Sequence, residues 1–502
     1  MMRAPTPAPT PTQAPLIHLP TEGQFLVRGA AGSGKSFVAF ERALHLARQP
    51  LLHGSPRVLL LARTPALAQA FADLLQSRDG GRARQIEVGA PASWCRAILG
   101  ESDAAPPLDD ATFARLVGEA LDLVRRTSRR TLLRRPLLFF TSEIATMILA
   151  LGVERFEQYG AIDREGRGSS LDEESRRTIW SVFETFRALA RALGREPAHA
   201  LVPRALARLA SVRNHPYDHV VVDDAHRLAP VELKLVRTLA AAGSLTLFAA
   251  LEQKFDPLAA TLHELGLARL DRTEALPRML RGPAPIHAAA LDLLRKKNAG
   301  DADLATIHPG TLEGAQPRLL LAQGIEQELA AAVAEIERWR RERSLRDVGV
   351  LAPRRVPLEL LAAQLARARI ATRWFDDESD GAAGDAVALG LLAHAAGREF
   401  PCVLLLDANR GSFPRAPHDL ADHERAGADE RARRDLHLAF TRAAAELVVV
   451  ATEATRAPAL PVKLLGVERI GVSAAVAAPT MAAPDATAPD ASGDGRAAAV
   501  TS

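Results

Sequence analysis

The chain has 502 residues, of which 48% are hydrophobic and 25% charged, and its net charge is +3. This composition is ordinary for a globular protein of several domains and excludes collagen-like and wholly disordered chains. No apolar run is as long as a transmembrane helix, so we expect no membrane span and a cytoplasmic protein. The two cysteines, Cys95 and Cys402, are too few and too far apart for a disulfide framework or a metal cage.

The two ends of the chain differ in composition from the rest. Residues 1–15 are rich in Pro, Thr and Ala, and residues 474–502 are rich in Ala, Pro, Asp, Thr and Gly. Segments with so few large apolar side chains cannot bury enough surface to order themselves. We therefore predict a disordered head over residues 1–15 and a disordered tail over residues 474–502.

The first strong motif is a glycine-rich turn between an apolar strand pattern and a helical pattern. It matches the phosphate-loop pattern G-x-x-x-x-G-K-[ST]. Small residues let backbone N–H groups converge on phosphate oxygens, and the following helix presents its positive end. Lys35 would reach the β- and γ-phosphates, and Ser36 would coordinate Mg²⁺. The predicted nucleotide-binding residues are Gly29, Ala30, Ala31, Gly32, Ser33, Gly34, Lys35 and Ser36.

Nine short apolar runs have the pattern of strands, and helical patterns separate most of them. Such an alternation indicates parallel sheets covered on both faces, so we predict an α/β fold with two sheets. Residues 101–212 are almost purely helical in pattern, which predicts an all-helical module inserted into the first α/β domain. The predicted strands are Phe25–Val27, Val58–Ala62, Val220–Val222, Leu245–Ala249, Leu319–Ala322, Val348–Leu351, Val387–Leu392, Val403–Leu406 and Leu447–Val450.

A second chemical motif is a pair of adjacent carboxylates, Asp223 and Asp224, at the end of a predicted strand. The C-terminal edge of a parallel sheet would place them beside the phosphate loop. We predict that Asp223 holds Mg²⁺ and that Asp224 orients and deprotonates the attacking water as a general base. Because such pairs also cap turns and helices, this prediction depends on the phosphate loop that precedes it.

With both motifs placed, the chain resembles the UvrD/Rep-type superfamily 1 helicases from about residue 24 to residue 453. Several segments are similar to the family's motifs and occur in the family's order. The helical insertion also resembles the family's 1B subdomain. The similar segments are Gly29–Ser36 for motif I, Leu60–Ala68 for motif Ia, Asp223–His226 for motif II, Leu280–Ile286 for motif IV, His394–Phe400 for motif V and Arg433–Ala443 for motif VI.

The resemblance implies two RecA-like domains that hydrolyse ATP with Mg²⁺ between them while single-stranded DNA crosses their top. The sequence leaves RNA open as the nucleic acid. The implied division is domain 1A over residues 16–100 and 213–300, the helical 1B insertion over residues 101–212, and domain 2A over residues 301–473.

The resemblance also implies roles for single residues. Arg281 and Arg442 would stabilise charge on the γ-phosphoryl group, and Gln253 would belong to the same catalytic set. Glu399 would accept a hydrogen bond from the ribose. Three residues occupy positions that are similar to nucleic-acid contacts of the family, and an exposed tryptophan among them would stack on a base. These are Thr64, Trp94 and His394.

Several positions depart from the family's pattern. Asp224 stands where the family has Glu, and a misplacement of about 1 Å can lower a rate roughly a hundredfold. His226 replaces the glutamine thought to sense the γ-phosphate. Motif III has Ala250 in place of its acidic residue, and motif V has Ala396 in place of its lysine. Hydrolysis is therefore expected to be slow.

The base-binding parts are altered as well. Leu280 stands where the family has an aromatic residue that stacks on adenine. Gln24 is too close to the phosphate loop to read adenine, and Gln13 falls in the predicted disordered head. Only a few residues separate Asp377 from Ala386, where large family members insert their 2B subdomain. The chain would then be a minimal core that needs a protein partner or another module for unwinding.

Three functions remain open from the sequence. The first is an ATP-dependent translocase or helicase on single-stranded DNA. The second is a degenerate relative that binds ATP and DNA as a switch with little turnover. The third is a different phosphate-loop ATPase that acts on protein partners. Intact Lys35, Asp223 and Arg442 favour the first of these.

Overall fold

The computed structural model describes most of the chain in two α/β domains. The described residues are 8–50, 54–62, 65–78, 85–100, 105–162, 171–210, 216–240, 244–250, 270–295, 304, 306–375, 384–395, 398–414 and 422–470. Among them, no helix combines the length and the apolar character that crossing a bilayer requires.

The first α/β domain begins with alternating helices and strands. The strands are short; β2 is fully buried, most of β1 is buried, and β3 has one buried residue. The elements are α1 Ala14–Ile17, β1 Gly23–Gly29, α2 Lys35–Ala47, β2 Val58–Leu61, α3 Pro65–Arg78, β3 Ile86–Gly89 and α4 Pro91–Leu99.

A helical module follows, as predicted, and the described residues between 105 and 196 contain no strand beyond one isolated bridge. Asp109 and Asp172 cap two of its helices, because each side chain accepts a hydrogen bond from a backbone N–H of the first turn at 2.8 Å. The module has its own apolar core, which includes Phe140 and Phe183. Its helices are α5 Asp110–Thr127, α6 Leu137–Glu143, which continues as a π-helix over Ile144–Leu149, α7 Phe156–Ala161 and α8 Glu173–Ala192.

The chain then returns to the first sheet. Leu201, Val202 and Ala205 pack into the core of the first domain, so the return begins before the predicted boundary at residue 212. The elements are α9 Leu201–Ala210, β4 His219–Val222, α10 Pro230–Leu239, β5 Ser244–Ala250 and β6 Arg272–Leu276.

The second α/β domain contains the remaining elements. They are α11 Ala284–Arg295, β7 Arg318–Ala322, α12 Ile325–Glu342, β8 Val348–Ala352, α13 Arg355–Arg367, β9 Thr372–Trp374, β10 Val387–Leu391, β11 Phe400–Leu405, α14 Asp422–Phe440, β12 Ala443–Thr452 and β13 Gly466–Arg469. Ile286 and Leu293 of α11 pack with Leu319 and Leu447 in the core of this domain. The predicted boundary at residue 300 therefore falls beyond a helix that belongs to the second core.

Both sheets contain parallel pairs throughout, which confirms the predicted fold class of two RecA-like α/β domains with a helical insertion. The strand order is β3-β2-β4-β5-β1-β6 in the first sheet and β13-β7-β12-β11-β8-β10-β9 in the second. Gly29 at the end of β1 pairs with Ala250 at the end of β5. The C-terminal ends of β1, β4 and β5 therefore lie along one edge of the first sheet.

All nine predicted strands are present. The apolar runs missed β3, β6, β9 and β13, which lie at or next to the edges of the two sheets.

Two phenyl rings lie flat on a pair of glycines in the second sheet. Phe375 and Phe400 are stacked with their ring centroids 5.7 Å apart. A side chain at Gly390 would overlap the Phe375 ring, and one at Gly349 would overlap the Phe400 ring. The guanidinium of Arg398 lies 4.8 Å from the centroid of the Phe375 ring and donates to the Phe375 carbonyl at 2.8 Å. This ring pair holds the segment that leads into β11.

Candidate nucleotide site

The glycine-rich turn between β1 and α2 has the backbone that its sequence demands. Gly32 and Gly34 adopt φ values of +67° and +85°, which glycine reaches without the steric cost of a Cβ atom. The Ala30 N–H donates to the Leu276 carbonyl at 3.0 Å, and the Leu280 N–H donates to the Gly32 carbonyl at 3.0 Å. The turn is thus held against the segment that follows β6, at the positive end of α2.

Lys35 is the first residue of α2 and turns back over the loop. Its Nζ donates to the carbonyl oxygens of Gly29 at 2.9 Å and Ala30 at 3.0 Å. The ammonium group therefore lies beside the backbone that would surround a phosphate.

Gln13 also belongs to this site, although the sequence places it in the predicted disordered head. It is buried, and its Nε2 donates to the Ser33 carbonyl at 2.9 Å while its Oε1 accepts from the Thr10 N–H at 3.0 Å. The buried side chain of Arg42 donates to the carbonyls of Ile17, Leu19 and Pro20, which fastens this segment to α2. Gln13 is thus packed on the loop, and most of its neighbours in residues 8–15 are exposed or half-buried.

Asp223 lies at the end of β4 beneath the loop and is fully buried. Neither carboxylate oxygen has a hydrogen-bond partner of good geometry among the described residues. Burial and the neighbouring Asp224 raise the pKa of Asp223, while nearby Ser36 and Lys35 act in the opposite direction. A buried carboxylate without a donor is the group that a cation would stabilise most, and Ser36 supplies a second oxygen. The residues present therefore fit Mg²⁺.

No cluster of three or more His, Cys, Asp and Glu side chains is arranged for a metal within the described ranges. Mg²⁺ in nucleotide sites commonly uses one or two protein ligands together with phosphate oxygens and water, so a larger cluster is not required.

Asp224 has a different environment and an uncommon backbone. Its φ is +54°, in the left-handed region that Asp tolerates better than most residues. Burial acts to raise the pKa of Asp224, but the polar and positive groups around it, His226 and Lys35 first among them, hold it below its usual range. Arg442 from the other domain contributes to the same effect. Asp224 is therefore the ionised member of the pair.

His226 connects the end of β4 to the end of β5. The N–H of Ala250 donates to its Nδ1 at 3.0 Å. Because Nδ1 is the acceptor, the ring proton is assigned to Nε2, and the side chain lines the same cleft as Asp224.

On the other side of the cleft, Arg281 follows β6 at the border of the second domain and Glu399 precedes β11. Arg281 Nη1 lies 2.8 Å from Glu399 Oε2. Arg442 lies between α14 and β12, and it donates to the carbonyls of Arg398 at 3.1 Å and Leu438 at 3.2 Å. Both arginines are therefore held by protein groups.

These residues surround one cleft of about 1120 Å³ between the two domains. Both domains contribute charged or polar side chains to its walls, including Lys35, Ser36, Asp224, Arg281, Glu399 and Arg442. A cleft with cations on both walls and carboxylates at its base suits a phosphorylated ligand with a divalent cation.

The predicted nucleic-acid contacts have different outcomes. Trp94 is only 4% exposed, and its Nε1 donates to the Tyr217 hydroxyl at 2.8 Å, so the structure corrects its prediction as a stacking platform. His394 is exposed after β10, as a contact residue must be. Thr64, Gln253 and Ala396 lie outside the described residues.

No protein-family model matches the chain, and a comparison with curated proteins finds no match. Among solved structures, the chain is similar to the C-terminal domain of a possible DNA helicase from Lactobacillus plantarum WCFS1. The identity is 18% and the TM-score 0.29, over 38% of this chain and 98% of that chain. This similarity is too low to assign a function.

Proposed function

We propose that the chain is an ATP-dependent translocase or helicase of the UvrD/Rep type, which hydrolyses ATP between its two domains when single-stranded DNA is bound. The observation that carries the proposal is the cleft itself. Lys35 and Asp224 on one side meet Arg281 and Arg442 on the other across a single cavity. Phosphoryl transfer depends on charge placed around the γ-phosphate from both sides, and this arrangement supplies it.

In this proposal the glycine-rich turn from Gly29 to Gly34 binds the phosphates. Mg²⁺ would be held by Ser36 and Asp223 and would neutralise charge on the β- and γ-phosphates. Lys35 would exchange its two loop carbonyls for phosphate oxygens, which are stronger acceptors for an ammonium group.

Asp224 would orient the attacking water. Because positive neighbours keep its pKa low, it stays ionised but is a weak proton acceptor, so its main contribution is orientation. Arg281 and Arg442 would stabilise the charge that develops on the γ-phosphoryl group. To do so they must leave Glu399 and the carbonyls that they now contact.

The base and the ribose would lie toward Gln13 and Glu399. Gln13 is anchored on the Ser33 carbonyl, which places its amide beside the loop and supports a role in recognising the base. Glu399 would accept from the ribose once Arg281 moves to the phosphate. Single-stranded DNA would cross the domains near Thr64 and His394, and a protein partner would supply what unwinding needs beyond this core.

One observation favours a second candidate, an ATP- and DNA-dependent switch with little turnover. Asp224 is fixed by a left-handed backbone with a φ of +54°, and its side chain is one methylene shorter than Glu, so its carboxylate reaches less far. A base held short of the water would leave binding intact and hydrolysis slow.

The test is the steady-state ATPase rate with and without single-stranded DNA, for the native chain and for Lys35→Ala and Asp224→Glu. Lys463→Ala, at an exposed lysine, is the matched control. We expect DNA to stimulate the native chain, Lys35→Ala to abolish the stimulation and Asp224→Glu to raise turnover. Lys35-dependent ATP binding without hydrolysis in any variant would favour the switch, and no ATP binding at all would overturn both candidates.

A further inference from the structure

His287 is a buried histidine beside the nucleotide cleft to which the proposed reaction gives no role. It lies in the first turn of α11 and is 2% exposed. The N–H of Gly310 donates to its Nδ1 at 3.0 Å. Because Nδ1 accepts, the ring proton is on Nε2, which donates to the carbonyl oxygen of Arg281. The neutral ring therefore joins two separate backbone segments.

Two glycines, which have no side chain, leave room for this ring. Gly282 has a φ of +88°, and a Cβ atom there would lie 3.2 Å from His287 Nε2. A Cβ atom at Gly310 would lie 3.0 Å from His287 Nδ1. The two segments are also joined directly, since the Met279 N–H donates to the His308 carbonyl at 3.1 Å. The imidazole is thus inserted between the turn that carries Arg281 and the strand-like segment before β7.

We propose that His287 is a positioning residue, which holds the Arg281 turn at the cleft while its ring is neutral and releases it when the ring is protonated. This inference rests on the proposed function, because Arg281 acts there on the γ-phosphate. A protonated ring has a donor on both nitrogens, so it would oppose the Gly310 N–H instead of accepting from it. Loss of that bond would free the turn on which the guanidinium depends.

The charged surroundings of His287 are mainly cationic. Arg281, Glu399 and Arg442 line the same small pocket, His437 of α14 lies nearby, and the exposed His308 belongs to the facing segment. Burial lowers the pKa of His287, the hydrogen bond to the Arg281 carbonyl raises it, and His437 lowers it further. The hydrogen bond that the neutral ring accepts from the Gly310 N–H is therefore present above about pH 6.5, the pKa of an unfolded histidine. It is lost as pH falls through the lower pKa that His287 has in the folded chain.

The experiment compares His287→Gln, His287→Leu and the exposed-histidine control His308→Gln. A Gln amide can accept and donate without titrating, whereas Leu can do neither. At about pH 8 we expect DNA-stimulated ATPase within about twofold of native for His287→Gln and about tenfold lower for His287→Leu. As pH falls from about 8 to about 5, through the lowered pKa of His287, we expect native activity to fall several-fold more than that of His287→Gln.

A double-mutant cycle shows whether His287 acts through Arg281. In the Arg281→Ala background, His287→Leu should cause no further loss of activity. Full additivity of the two losses, or native activity in His287→Leu, would overturn the inference. Thermal unfolding of each variant shows whether it is folded. If His287→Leu is misfolded, the pH dependence of the folded His287→Gln variant still tests the inference.

Hydrogen exchange of the Gly310 amide provides a readout without nucleotide. We expect this amide to be protected in the native chain and in His308→Gln and to exchange at least tenfold faster in His287→Leu. Equal exchange in the native chain and in His287→Leu would overturn the inference even if ATPase activity is present. The proposed function fails separately, if the native chain shows no Lys35-dependent ATPase while the amide is protected as expected.

Discussion

The two walls of the nucleotide cleft differ in how their charged groups are held. On the first wall, the buried Asp223 carboxylate has no hydrogen-bond partner of good geometry among the described residues, and Lys35 contacts two carbonyls of its own loop. On the second wall, Arg281 is paired with Glu399, and Arg442 donates to the Arg398 carbonyl. The first wall is arranged to receive a ligand, whereas the second is occupied by groups of the protein.

This difference separates binding from turnover. In the proposed reaction, a cation would stabilise the buried carboxylate of the first wall, which already carries the cost of desolvation, and Lys35 would exchange only carbonyls of its own loop for phosphate oxygens. In the proposed reaction, the arginines of the second wall would exchange protein acceptors for phosphate oxygens, which would become favourable only as negative charge accumulates at the γ-phosphate. We therefore expect substitutions on the first wall to affect binding and hydrolysis together, and those on the second wall to affect mainly hydrolysis.

The largest effect is expected for Asp223→Asn on the first wall. ATPase activity should fall by roughly 100-fold or more, because the proposed Mg²⁺ ligand would be lost. The same change should stabilise the nucleotide-free chain by about 1–3 kcal/mol at about pH 8, since it removes a buried charge that lacks a well-formed hydrogen bond.

The pH dependence of Asp223→Asn follows from the raised pKa of Asp223. A carboxyl whose folded pKa is raised contributes stability below its unfolded pKa of about 3.9, and this contribution is lost as pH rises through the folded value. The difference in unfolding temperature between the variant and the native chain should therefore increase from acid to alkaline pH. A constant difference, or a less stable variant, would contradict the description of Asp223 as a buried carboxylate whose charged form is disfavoured.

Arg442→Ala on the second wall should come next. We expect kcat to fall about 10²–10³-fold while KM for ATP changes by less than about threefold, because the arginine acts on transition-state charge. Arg431→Ala, at an exposed arginine of the preceding helix α14, is the control and should leave both constants unchanged. A rise in KM as large as the fall in kcat would remove the distinction between the walls.

Gln13→Ala should have a moderate effect that is confined to binding. Loss of the amide that rests on the Ser33 carbonyl should weaken ATP binding about five- to tenfold, with kcat nearly unchanged. Titration with a fluorescent ATP analogue measures the change, and Gln76→Ala, at an exposed glutamine of α3, serves for comparison. Native affinity in Gln13→Ala would limit residue 13 to a packing role.

The smallest effect is expected for Trp94→Phe, which tests whether Trp94 is a structural residue and not a stacking platform for a base. Its affinity for single-stranded DNA should stay within about twofold of native, because the buried ring cannot reach a base. The free energy of unfolding should fall by about 1 kcal/mol, since the Tyr217 hydroxyl loses a donor. His394→Ala, at an exposed position, should weaken DNA binding more, and the reverse order would restore Trp94 as a contact.

The sequence predicts the interior of the fold better than its edges. Each predicted strand is a nearly continuous apolar run because parallel strands are covered on both faces. The missed strands are short or half-exposed: β6 reads Arg-Thr-Glu-Ala-Leu with one buried residue, and β13 has none. At the edge of a sheet, backbone hydrogen bonds to one neighbour determine the strand, and the side-chain pattern does not record that pairing.

The sequence likewise predicts some residues of the candidate site and misses others. The phosphate loop and the Asp pair are recognisable because their chemistry requires particular residues at particular spacings. Gln13 was missed because its Pro- and Thr-rich surroundings indicate disorder, while its order comes from contacts with Ser33 and with the segment held by Arg42. The burial of Trp94 depends on Tyr217, more than a hundred residues away, and no local pattern contains that contact.

The glycines at 349 and 390 impose a limit on how this chain can vary. The rings of Phe375 and Phe400 need the space that the two missing side chains leave, and Glu399 is the residue next to one of those rings. Neither glycine lines the nucleotide cleft, yet any larger residue at either position would lift a ring and shift the backbone that carries Glu399. In a library of random variants selected for activity, positions 349 and 390 should therefore tolerate as little change as Lys35, although they contribute no chemical group of their own.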